Sequence, residues 1–231
     1  MKIDTTNWEY YFKLTPQGTP VESNLLYTPT VSPDGSMMCM HYCIDKTYRT
    51  NTPAELSEEL VEWFFHREVR FLKEFSQFNF TPTVYEVDTV NKKIIIEWNK
   101  ETMSQIVFNP ERNLDQELPN WREQIGNMLK ATKQHEHYKM SLYPHCFFIS
   151  KAGQLKTIDY YAVVPYNERF IERQIIEGVI GPQGAYRFND STESGQLDFK
   201  KFFEITLTKH LVNYWPSSPF TSLFEEIYTN D

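Results

Sequence analysis

Apolar and polar positions in the first hundred residues alternate over short runs, which predicts strands at 8–14, 24–31 and 36–45. The last two meet at Ser32-Pro33-Asp34-Gly35, a turn in which glycine takes the positive-φ position. The period then changes. Leu56, Leu60, Phe64, Phe71, Leu72 and Phe75 fall near one stripe of a helix over 53–75. Thr52-Pro53-Ala54-Glu55 supplies its start: Thr52 caps, Pro53 suits the first turn and Glu55 completes a capping box. Strands at 84–90 and 93–98 follow, joined through Asn91-Lys92. A helix over 119–137 places Trp121, Ile125, Met128, Leu129 and Thr132 on one face. Short apolar runs at 146–149 and 155–158 flank a turn around Gly153 and deliver Asp159 directly after an apolar residue. Helices are predicted over 168–179, 198–215 and 219–228, with a polar loop over 181–195. These elements predict an α+β chain. A small antiparallel sheet with one long helix occupies 1–98, and a mainly helical part with the 146–158 hairpin occupies 99–231.

Composition narrows the function classes. A chain of 231 residues, 40% hydrophobic and 16% aromatic, is long and apolar enough to bury a core. The formal net charge of −8, with no run of lysine and arginine, argues against a phosphate-binding face for nucleic acid. No apolar stretch approaches the roughly 20 residues needed to cross a bilayer. Cys39, Cys43 and Cys146, with no signal peptide, read as reduced thiols of a soluble cytoplasmic protein.

The segment 138–161, YKMSLYPHCFFISKAGQLKTIDYY, resembles the catalytic loop and metal-binding segment of the protein-kinase-like superfamily, which includes the aminoglycoside phosphotransferase relatives. Leu142 and Pro144 fall on the D-L-K-P-E-N form and Asp159-Tyr160-Tyr161 on D-F-G, 18 residues after Ser141 without a gap. Lys139-Met140-Ser141 stands where H-R-D would, so the base aspartate becomes Ser141, and Cys146 stands for the second metal-binding asparagine. The likeness covers roughly 36–162. It implies a two-lobed fold in which Glu68 is the long-helix glutamate and 94–99 leads into the hinge. His41 would replace the phosphate-binding lysine, with Lys46 the nearest alternative. No glycine-rich loop and no A-P-E is present. The general texture has a weaker likeness to small proteins of marine tailed phages, on which no residue-level expectation rests.

Each candidate has a plainer role beside the chemical one. Asp159 is a Mg²⁺ ligand or the cap of a turn. Ser141 orients a hydroxyl or bonds its own backbone, and it lacks the basicity of a carboxylate near neutral pH. Glu68 pairs with His41 or faces solvent. Cys39, His41 and Cys43 alternate on one strand face, where neighbours seldom converge on a tetrahedral metal, and so read as core or cleft residues. His135 and His137 end a helix, where a cation suits the dipole.

The resemblance implies ATP and Mg²⁺ as candidate cofactors. Asp159, Ser141, Glu68, Cys146, His41 and the backbone around Glu97 would line a cleft. The altered positions point to a catalytically degenerate, pseudokinase-like module that binds a protein partner and, weakly, a nucleotide. The alternatives are a divergent phosphotransferase using Asp159, or an unrelated α+β interaction protein.

Overall fold

The computed structural model describes residues 2–14, 20–21, 27–43, 58–139, 142, 144–160, 163–165, 220, 222–223 and 226–227. The chain forms two compact units, one of 1–121 with 143–161 and one of 122–142 with 162–231.

The first unit is built on a five-stranded antiparallel sheet. Its strands are β1 (Glu9–Tyr10), β4 (Thr28–Val31), β5 (Met37–His41), β6 (Val84–Asp88) and β7 (Lys93–Glu97), in the order β1-β4-β5-β7-β6. A separate short pair, β2 (Lys13–Leu14) and β3 (Pro20–Val21), precedes β4. The predicted turn joins β4 to β5, with Gly35 at φ 71° and its N–H bonded to the Ser32 carbonyl at 2.8 Å. The Gly35 Cα faces the Lys100 side chain so closely that an added Cβ would come within 2.4 Å of it, a second reason for glycine. Between β6 and β7 the Asp88 carboxylate accepts from the Val90 and Asn91 amides, which lets Lys92 take φ 52°.

In β5 and β7 three successive residues are buried, Met38-Cys39-Met40 and Ile94-Ile95-Ile96. The middle of the sheet is therefore covered on both faces. Edge strand β6 instead alternates, with Tyr85 and Val87 exposed and a register shift between Val84 and Glu86.

Helix α1 (Glu58–Glu74) lies within the predicted 53–75. Phe64, Phe71, Leu72 and Phe75 of the predicted stripe are buried, while Thr52, Glu55, Leu56 and the Leu60 side chain lie outside the described residues. Phe65 and Glu68 are buried with them, and Phe65 meets Tyr42 edge to face at 5.9 Å. After the helix, Phe75 gathers Phe78, Phe80 and Tyr160 within 6.3 Å. Rings in these offset and tilted arrangements add to their area burial.

Residues 99–118 carried no predicted element and hold two short helices, α2 (Met103–Val107) and α3 (Leu114–Glu117). Thr102 and Gln105 form a capping box at the first, and the Asn113 side chain accepts two amides at the second. Arg112 bonds both Glu101 and Glu117 across the pair. The hairpin of β9 (Phe147–Ile149) and β10 (Leu155–Thr157) turns at Gly153 as predicted, φ 73°. Pro144–Cys146 before it is a 3₁₀ turn, so Cys146 precedes the strand.

Helix α4 (Trp121–Gln134) buries Trp121, Ile125, Met128, Leu129 and Thr132 as predicted. Its predicted end at 137 is corrected. Glu136 adopts φ 59°, a left-handed residue that stops the helix, and His137 opens strand β8 (His137–Lys139). His137 is therefore a strand residue, with its ring Nδ1 bonded to the His135 carbonyl. In the second unit β8 pairs with β11 (Val163–Pro165), and Lys133 donates to the Ile227 carbonyl at 2.9 Å. The helices predicted over 168–179 and 198–215 and the 181–195 loop lie outside the described residues, as does most of 219–228. No helix among the described residues is long and apolar enough to cross a membrane.

Candidate functional site

The chain delivers Asp159 to the interior of the first unit through two backbone hydrogen bonds and a linked pair of side-chain hydrogen bonds. The Ile158 N–H bonds the Cys146 carbonyl at 2.9 Å, and the Thr157 N–H bonds the Phe80 carbonyl at 2.9 Å. On the other side the Tyr160 hydroxyl meets the Thr81 hydroxyl at 2.8 Å, and Thr81 donates to the Phe75 carbonyl at the end of α1. Held between these anchors, Asp159 adopts φ 63° at 2% exposure. Left-handed backbone at a buried non-glycine residue is stored strain, tolerated best by Asp and Asn, and it clusters at functional positions.

Both carboxylate oxygens of Asp159 accept from side chains. Tyr27 donates its hydroxyl to Oδ1 at 2.5 Å, and Cys146 donates its thiol to Oδ2 at 3.2 Å. Tyr27 is itself 1% exposed and packs against Tyr42, ring centroids 5.2 Å apart. Neither tyrosine figured in the sequence reading. Tyr11 belongs to the same neighbourhood. Burial pushes its phenol up to about 12, a polar contact with Thr102 opposing the rise and the Cys146 and Asp159 side chains adding to it. Its ring also meets Trp98 edge to face at 5.1 Å. Three tyrosines on β-rich segments, with no motif spacing among them, left no sequence signal.

The other sequence candidates fall as follows. Glu68 is fully buried, so the solvent-facing alternative is corrected: the stripe of α1 that carries Phe64, Phe71 and Phe75 takes it inside. Its charge reaches Tyr160, whose phenol is pushed far up mainly by burial, with Glu68 adding to the rise and Thr81 opposing it. His41 is half-buried on β5, opposite Thr28 and Lys93. Cys39 is buried on the same strand, and desolvation raises its thiol to about 11. Glu97 ends β7 and takes Lys156 at 2.7 Å. The amides nearest it are committed, Glu97 N–H to Thr83 and Trp98 N–H to Ser36. Ser141 and Lys46 lie outside the described residues.

This donor set does not fit Mg²⁺. The ion prefers an octahedron of oxygens and keeps its waters. Here Asp159 is the hard donor, its two oxygens already accept hydrogen bonds from Tyr27 and Cys146, and the neighbouring sulfur is soft. Among the described residues no three His, Cys, Asp or Glu side chains gather into a metal set. What the arrangement does is give each oxygen of a buried carboxylate its own hydrogen-bond donor, a phenol on one and a thiol on the other.

No family model and no curated protein sequence matches the chain. Among solved structures it is similar to WbdD with the kinase inhibitor LY294002, at 14% identity and TM-score 0.46, over 91% of this chain and 46% of that one. It is also similar to monomeric WbdD, at 13% identity and TM-score 0.48, over 94% and 48%. The chain spans about half the length of these proteins.

Proposed function

We propose that this chain is a kinase-like protein that does not transfer phosphate and acts as a binding or regulatory module, with a protein as its partner and at most weak nucleotide binding. The two-lobed architecture of that superfamily is part of the proposal. One observation carries it: the Asp159 carboxylate, which the resemblance aligns with the metal-binding aspartate, has each oxygen occupied by a protein donor. Phosphoryl transfer is catalysed almost entirely by positioning and charge stabilisation. In this chain the lysine, base-aspartate and asparagine positions of the family fall on His41, Ser141 and Cys146, and Tyr27 covers the carboxylate that is left.

The sheet supports the same reading. One long helix is inserted between β5 and β6 of an antiparallel sheet, and Asp159 follows a hairpin, the element order that the resemblance implies.

A thermal-shift titration with ATP, in Mg²⁺ and in EDTA, tests the proposal, because a ligand that binds the native state raises the unfolding midpoint. The expected midpoints in ATP are the same with and without Mg²⁺. A Mg²⁺-dependent rise that disappears in Asp159→Asn would show a working metal site and reject the reading.

A further inference from the structure

A cavity of about 540 Å³ opens in the first unit, and neither Asp159 nor its two donors lines it. Its wall includes Asn79, Tyr85, Glu97, Trp98, Gln154 and Lys156, drawn from the segment after α1, strands β6 and β7, and the β9–β10 hairpin. The volume is in the range of small-molecule sites, roughly 300–1,000 Å³.

Two of the three charges of this wall cancel within it. Lys156 Nζ lies 2.7 Å from Glu97 Oε2 and also donates to the Thr81 carbonyl at 3.3 Å. Partial burial alone would raise the Glu97 carboxyl, but the Lys156 hydrogen bond and the Thr83 donors outweigh it and hold the group below the usual range, so it is ionised at neutral pH. Lys151, the other charged side chain around the cavity, is exposed to solvent.

Hydrogen-bonding capacity remains. Every bond that the Glu97 side chain accepts, from Lys156 and from the Thr83 amide and hydroxyl, falls on Oε2 and leaves Oε1 over. The side chains of Asn79, Tyr85 and Gln154 form no hydrogen bond among the described residues. Trp98 is 3% exposed, and its indole N–H has no acceptor among the described residues, a costly arrangement for a buried donor. Tyr85 stands 51% exposed on the edge strand, with its ring open to a ligand.

This inventory selects a ligand class. A cation would have to compete with Lys156 for Glu97, an anion would meet only the exposed, solvent-screened Lys151 or compete with Glu97 for Lys156, and an apolar molecule would leave Oε1 and both amides unpaired. A neutral molecule with several hydroxyls, each a donor and an acceptor, matches amides and a carboxylate oxygen, and its C–H face suits an aromatic ring. We propose that this cavity binds a neutral sugar ring, held by Glu97 Oε1, Asn79 and Gln154 and stacked on Tyr85.

Saturation-transfer NMR on the full chain tests it, with glucose, galactose and mannose at concentrations on the order of 10 mM, beside glucose 6-phosphate and glucuronate as anionic counterparts. The expected result is transfer from at least one neutral sugar that exceeds both anions. It should fall about fivefold, the effect of one lost hydrogen bond or stacking contact, in Asn79→Ala and in Tyr85→Ala. Both positions are exposed, so these variants keep the fold. No transfer from any neutral sugar, stronger transfer from the anions, or transfer unchanged in both variants overturns the proposal.

Discussion

Tyr27 and Asp159, 132 residues apart in sequence, are joined by a 2.5 Å hydrogen bond from the phenol to carboxylate Oδ1 inside the first unit. Removing the phenol leaves a buried carboxylate short of a donor. Tyr27→Phe is expected to lower stability by about 1–3 kcal/mol, the usual penalty for orphaning a buried polar group. Urea unfolding checks this, with Tyr85→Phe, whose hydroxyl is at an exposed position, as the control that stays at the wild-type midpoint.

The ring cluster around Phe75 joins the end of α1 to the residue that follows Asp159. Phe75 is completely buried and meets three other rings, so Phe75→Ala opens a cavity in rigid surroundings. A loss of about 3–5 kcal/mol is expected in the same unfolding experiment.

Alkaline pH should weaken the fold through Tyr11. Its phenol is raised in the folded chain from the ordinary 10.0 to about 12, mainly by burial. The folded state therefore keeps its proton longer than the unfolded chain does. The contribution is complete below pH 10 and is lost as pH rises through 10 toward 12. In Tyr11→Phe the fall in unfolding free energy across that window should be shallower than in the wild type.

Acid should act through Glu97, with the opposite sign. Partial burial works against ionisation, yet the Lys156 bond and the Thr83 donors hold the folded carboxyl below its ordinary 4.5. The unfolded chain takes up the proton first, so the contribution is present above pH 4.5 and fades as pH falls below it. Lys156→Met removes the main stabilising donor and should flatten that part of the stability–pH curve.

The three thiols should separate by reactivity. Cys39 and Cys146 are buried, with the Cys39 thiol raised to about 11 by desolvation, whereas Cys43 is half-buried. A thiol reagent at neutral pH is expected to label Cys43 quickly and the other two only after denaturant is added. Mass spectrometry of the labelled peptides reads this out.

The sequence made the sheet and its helices legible wherever a period or a turn had a mechanism. The Ser32–Gly35 turn, the Asn91-Lys92 turn and the stripe through Phe64, Phe71 and Phe75 are of this kind. The short helices after Trp98 went unread because each is a single turn held by a local cap. Thr102 with Gln105 and Asn113 with its two amides were the available signals. The end of α4 was overrun because Glu136 stops it without glycine or proline. Asp159 was visible from its hairpin, but its partners were not. Tyr27 and Tyr11 meet it only through side-chain contacts between segments more than a hundred residues apart, and no local pattern encodes that distance.

The central claim is that the chain does not transfer phosphate, and turnover of ATP by the purified full-length chain in Mg²⁺ tests it most directly. Loss of a positioned base typically costs on the order of 10²–10⁴ in rate, and a covered carboxylate offers no compensation. The account predicts hydrolysis at the buffer rate, unchanged in Asp159→Ala. Turnover in the wild type that disappears in Asp159→Ala would contradict it and make the chain a divergent phosphotransferase.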